Sequence, residues 1–187
     1  MTDKENKIGI IDELRSAEDA WIEERAKRLE IYQSIFYEEY QPLRSTVSII
    51  FFVEIMYNYV YGAYVSCIVM CHLVCMEVLK APFNISTEEE IFEYGFSKLV
   101  KENKKRGWID NEMVKDLIKL NNIRNNFSHS KKARRIIKDL DKGKKELAEL
   151  YDPNSYQKLE SNAIFAMSLV HRLIWDSRLM FSPSNIN

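Results

Sequence analysis

Hydrophobic positions recur at steps of three and four along most of the chain, and proline, glycine or charge separates the segments they define. From residue 11 to 40, Ile11, Leu14, Trp21, Ile22, Leu29, Tyr32, Ile35 and Phe36 alternate with charges at this spacing, which predicts one long amphipathic helix ended by Pro42. Val47 to Leu79 is the most apolar run, interrupted by Glu54, Asn58, Gly62, His72 and Glu77 and closed by Pro82. It predicts one or two buried helices with a kink at Gly62. Beyond Pro82, Ser86 and Thr87 each stand three residues before a glutamate, a capping-box arrangement, and the segment ends in basic residues and Gly107. Asp110 can cap the next helix, whose apolar side is Val114, Leu117, Leu120, Ile123 and Phe127. After a turn at Asp152 and Pro153, a last helix carries Tyr156, Leu159, Ala163, Ala166, Val170, Leu173 and Ile174. No segment has a convincing strand period, so the expected fold is all-α, an antiparallel bundle of five to six helices.

A length of 187 residues with 46% hydrophobic content suits one domain with a single core, and 29% charged residues argue against disorder. Within that domain, residues 1–42 form a helical extension, 43–130 the core, 131–152 a basic connection and 153–187 the last helix. Cys67, Cys71 and Cys75 fall at i, i+4 and i+8, one face of a helix, and form no C-x-x-C pair, so a core stripe is favoured over a metal site. No metal and no cofactor are expected. The N-terminus has no apolar stretch before a small-residue cleavage site, which points to a cytoplasmic protein. The run from Tyr59 to Leu79 is long enough to cross a bilayer, but His72 and Glu77 within it favour a core helix and no membrane association.

Charge changes the picture locally. The net charge is −1, yet residues 131–145 hold eight Lys or Arg against two Asp. Lys131, Lys132, Arg134 and Arg135 therefore form either a solvated connection or a surface that contacts phosphates.

That run follows the stretch "NNIRNNFSHS", residues 121–130, where four asparagines, poor helix formers, close an otherwise good helix. With Leu120 at zero on an ideal helix, Ile123 and Phe127 fall at about 300° and 340°, while Asn125, His129 and Asn122 fall at about 140°, 180° and 200°. The apolar stripe and the polar face are thus separated. Arg124, at about 40°, stands some 140° from His129, which makes a second subunit relevant to any site that uses both. Such a group is either a surface helix end with polar caps, where histidine and asparagine are ordinary, or the set of parts needed for phosphodiester chemistry without a metal. A neutral His129 can take the proton of a 2′-hydroxyl, Arg124 can hold the non-bridging oxygens as their charge rises, and Asn125 can orient either.

Arg124-Asn125-Asn126-Phe127-Ser128-His129 resembles the R-N-x-x-x-H form of the motif of the HEPN superfamily, and its place late in an all-helical domain is similar too. Requiring Asn after the Arg lowers the expected number of chance matches to about 0.01, so the form is informative. More loosely, residues 45–130 resemble the HEPN core, with Glu77 at an acidic position that some members use in the site. The resemblance implies a metal-independent endoribonuclease, with Arg124, Asn125, His129 and Glu77 as catalytic residues and RNA as substrate. It also implies a homodimer with the motifs at a shared cleft, a role as toxin or antiviral-defence effector, and an antitoxin or other regulatory protein as partner. Products would carry a 2′,3′-cyclic phosphate and a 5′-hydroxyl. Lys131 stands where one branch has a tyrosine, so regulation by a nucleotidyltransferase partner is not expected. The alternative is a non-catalytic helical module that binds RNA, a nucleotide or a protein.

Overall fold

The computed structural model describes residues 3–36, 46–84, 93–128 and 153–175. Among the described residues there are six α-helices and no strand: α1 (Asp3–Phe36), α2 (Thr46–Val60), α3 (Tyr64–Asn84), α4 (Phe96–Lys105), α5 (Asn111–Ser128) and α6 (Pro153–Trp175). The all-α bundle expected from periodicity is what the chain forms. The central helix is α3, which packs against α2, α4, α5 and α6, while α1 lies on α2 and α6.

The core follows the predicted stripes. Cys67, Cys71 and Cys75 are completely buried on α3, as are Ala163 and Ala166 on α6, and small side chains on both partners allow these helices to approach closely. Leu117 and Leu120 of α5 and Leu99 of α4 are buried with them. Each such leucine contributes about 1.5–3 kcal/mol by leaving water.

Glycine decides two helix ends. The kink expected at Gly62 is a break: Gly62 has φ 75°, its N–H donates to the Tyr59 carbonyl at 3.0 Å, and Ala63 N–H donates to the Asn58 carbonyl at 2.7 Å. This pair of reverse bonds is a Schellman cap and separates α2 from α3. Gly107, with φ 71°, ends α4 the same way, through Gly107 N–H to Lys104 O at 2.9 Å and Trp108 N–H to Asn103 O at 3.1 Å. Asp110 then caps α5, its Oδ1 accepting from Met113 N–H at 2.7 Å.

Three expectations need correction. The helix expected to start near Ser86 does not run unbroken to Gly107. Residues 93–95 are not α-helical, α4 begins at Phe96, and Ser86 and Thr87 lie outside the described residues. Gly95, extended at φ −66° and ψ 158°, occupies the N-cap position, consistent with its poor helix propensity. Pro82 does not close α3, which continues to Asn84. Beside that end, the buried Asn103 donates through Nδ2 to the carbonyls of Leu79 at 3.0 Å and Leu99 at 2.9 Å, tying α4 to α3.

The third concerns α1, where Trp21 and Ile22 are 61% and 57% exposed despite their place in the amphipathic pattern. With 34 residues α1 is about 51 Å long, and the 15 residues of α2 span only about 22 Å, so α1 overshoots its neighbour. Its docked part is the C-terminal one. There Arg28 Nη1 donates to the Val60 carbonyl at 3.3 Å and the guanidinium lies 3.9 Å from Glu160, while Phe36 meets Phe52 edge-on at 5.2 Å. Pro42, expected to end this helix, lies outside the described residues.

Candidate functional site

A cleft of about 460 Å³ opens between α3, α4 and α5, lined by His72 and Met76, by residues 95–98, and by Asn121 and Arg124. Each helix contributes through its own geometry. His72 and Met76 are one turn apart on α3, and Asn121 and Arg124 are three apart on α5, so each pair shares a face. The start of α4 lies across from both, because Gly95 begins that helix at the cleft wall.

His72 is 5% exposed and needs a partner in the core, which Asn121 supplies: Nε2 and Oδ1 are 3.1 Å apart. An amide oxygen only accepts, so Nε2 carries the proton and Nδ1 the lone pair. The imidazole also stacks on Phe96, with centroids 4.2 Å apart and planes 26° apart. Burial holds the His72 pKa below its ordinary value; the bond to Asn121 opposes this and the positive charge of Arg124 adds to it. The ring is thus neutral near pH 7.

A lowered histidine pKa has a sign. Below about pH 6.5 the unfolded chain takes up a proton that folded His72 refuses, so the stability contributed by the neutral ring is present above that pH and declines as pH falls towards the folded value. Thermal melts taken between neutral and mildly acidic pH are expected to show this loss, and His72→Gln is expected to flatten it. An unchanged pH slope in that variant would show that other groups carry it.

Arg124 is half-buried on the cleft wall, and its Nη1 donates to Asn125 Oδ1 at 3.0 Å. Arg124 and Asn125 stand about 100° apart on the wheel, and the long arginine side chain spans that angle. Asn121, at about 100° on the same helical wheel, lies beside it on the cleft side, Asn125 supports its guanidinium, and Asn122 and Asn126 face solvent. Wheel angles measured from the core stripe give no account of a cleft beside the core.

The other expected site residues divide. Glu77 lies on the exposed side of α3, 3.1 Å from Lys80 and outside the cleft lining, an arrangement that fits a surface ion pair. His129 and the basic residues Lys131, Lys132, Arg134 and Arg135 lie outside the described residues. The structure adds His72, Phe96, Lys98 and Asn121, which the motif does not include. One signal for them existed in the sequence, since a histidine inside an apolar helix requires a hydrogen-bond partner somewhere in the fold.

The remaining features are structural. Cys71 and Cys75 have thiol pKa values raised by burial, so neither is an activated thiolate. His171 stacks on Trp175 at 4.6 Å and meets Phe36 at 6.1 Å, at the junction of α6 with α1. Among the described residues one helix, Tyr64–Phe83, is long and apolar enough to cross a membrane by length and composition, and it is also the helix against which four others pack. No protein-family model, no curated protein and no solved structure matches the chain.

Proposed function

We propose that the chain is a metal-independent endoribonuclease of the HEPN type, cutting RNA by attack of a 2′-hydroxyl on the adjacent phosphate. The observation that carries the reading is Arg124 on the wall of an open cleft, its guanidinium braced by Asn125 and its helix leading directly to His129. An arginine held in this way meets phosphate oxygens with a fixed fork of donors and loses little freedom on binding. His129 takes the 2′-hydroxyl proton, the 2′-oxygen bonds to phosphorus as the bond from phosphorus to the 5′-oxygen breaks, and the imidazolium so formed gives its proton to the departing 5′-oxygen. Arg124 offsets the charge that gathers on the non-bridging oxygens during the exchange.

Two chains packed with their motifs side by side would bring a second Arg124 and His129 to the same phosphate, which is the part of the reading taken from the resemblance. So is the role as toxin or antiviral-defence effector, with a regulatory partner. Cytoplasmic action belongs to the same reading. Glu77, a further polar member of the site by the resemblance, is paired with Lys80 at the surface, and no step is assigned to it. Incubation of the purified protein with total RNA in EDTA tests the proposal: discrete fragments ending in a 2′,3′-cyclic phosphate are expected. Retention of intact RNA without fragments would leave a binding module instead.

The basic run has its own test. If Lys131, Lys132, Arg134 and Arg135 touch phosphates, RNA affinity falls steeply with salt, and each residue neutralised reduces the logarithmic slope by about 0.7. Equal slopes for the parent and a variant with all four replaced by glutamine would return the run to a solvated connection.

A further inference from the structure

We infer that the outer side of α2, continued by the exposed part of α1, is a docking surface for a basic amphipathic helix of another protein. α2 is apolar on nearly every side: Ile55 and Tyr59 are buried, and Glu54 is its one charged residue. A helix of this kind is ordinarily covered all round. Its outer side is open here, since Ile50, Val53 and Tyr57, with Tyr61 just past its end, are between 41% and 56% exposed. At steps of three and four these side chains form one ridge about 17 Å long.

The ridge continues onto α1. Phe36 meets Phe52 and Arg28 meets Val60, so the two helices run antiparallel, and Arg25 lies over the Tyr61 ring at 5.3 Å. Arg25 also donates through Nε to the Trp21 carbonyl at 3.1 Å, one turn further along, where Trp21 and Ile22 are exposed. The apolar surface is then about 23 Å long, which is four turns of a helix. Covering its six side chains removes on the order of 1,400 Å² from water, both partners counted, the size of a specific interface. Three of the six are tryptophan or tyrosine, the side chains that most often anchor such contacts.

Charge selects the occupant. Glu18 stands three and four positions before Trp21 and Ile22, Asp19 three before Ile22, and Glu54 the same distances from Tyr57 and Ile50, so each acid is a helical neighbour of the ridge. All three are exposed, and among the described residues none has an ion-pair partner. The nearby cations are already engaged, Arg25 by Tyr61 and Lys27 and Arg28 by Glu24 at 3.5 and 3.7 Å. A second copy would set these acids against one another, whereas lysines or arginines flanking the apolar side of a partner helix would pair with them.

The surface shares no residue with the cleft and does not depend on the ribonuclease reading. Its test is titration of the full chain into a labelled peptide of about 16 residues, leucine and lysine in amphipathic helical order, followed by fluorescence anisotropy. One saturable site is expected. The same peptide with glutamate for lysine, and one of equal composition in scrambled order, should each bind about tenfold or more weakly. Trp21→Ala and Tyr57→Ala, both at exposed positions, are each expected to weaken the basic peptide about tenfold with circular dichroism unchanged. Arg124→Ala, in the cleft, should leave it unaltered. The inference is overturned if the basic peptide does not saturate, if either comparison peptide binds as tightly, or if the Trp21 and Tyr57 variants bind like the parent. A dimer in sedimentation that Tyr57→Ala disperses would assign the face to a second copy, and binding to phosphatidylcholine vesicles that Tyr57→Ala abolishes would assign it to a lipid surface. Either result also overturns the inference.

Discussion

Replacing His129 with alanine is expected to remove RNA cleavage and leave the fold unchanged. A positioned general base contributes about 10²–10⁴-fold to such a reaction, and no other titratable group of the motif has a pKa suited to the task. The fold should survive, because the buried side of α5 is Met113, Leu117 and Leu120, and an ideal continuation of that helix would set residue 129 about 180° from Leu120. The measurement is fragment yield from total RNA in EDTA, with helical content followed by circular dichroism. A folded alanine variant that cuts as fast as the parent would end the assignment. Arg124→Ala is expected to slow cleavage about 10²–10³-fold by removing the group that meets the developing charge. Arg124→Lys should restore little, since an ammonium cannot reproduce the fork braced by Asn125.

Gly62→Ala is expected to cost about 2–4 kcal/mol of stability, combining backbone strain with a clash. Its φ of 75° lies where an L side chain is strained, and a Cβ there would sit 2.6 Å from the Tyr156 hydroxyl and 3.3 Å from Arg28 Nη1. Tyr156 and Arg28 dock α6 and α1 at this corner, so the clash spreads to two helices. Gly107→Ala is the natural control. Its φ of 71° imposes the same strain, but nothing lies within 4 Å of the added carbon, and about 1 kcal/mol is expected. Urea unfolding of both variants gives the comparison. Equal losses would mean that the corner accommodates a methyl group and that Arg28 and Tyr156 yield easily.

Local chemistry was legible in the sequence to the extent that it is local. The apolar stripes of α5 and α6, the capping aspartate at 110 and the terminating glycine at 107 depend on residues within a few positions of each other, and all appear in the structure. Trp21 and Ile22 are exposed against the pattern because periodicity tells which side of a helix is apolar and not how far its neighbour extends. The N-terminal boundary of α4 differs from the expected one because Gly95 stands nine residues after a better-looking cap at Ser86. His72 and Asn121 are 49 positions apart, so their pairing depends on how α3 and α5 pack. For the same reason the cleft was invisible to a helical wheel, which describes one helix at a time.

The central helix gives the molecule a shared inheritance. α3 turns Cys71 and Cys75 to the core, and on the adjoining face, one residue later in each case, it turns His72 and Met76 to the cleft. A side chain at 72 or 76 is therefore acceptable only if the helix can keep its seat against α6. The lining of this cleft can drift over generations only as far as the packing of the interior allows.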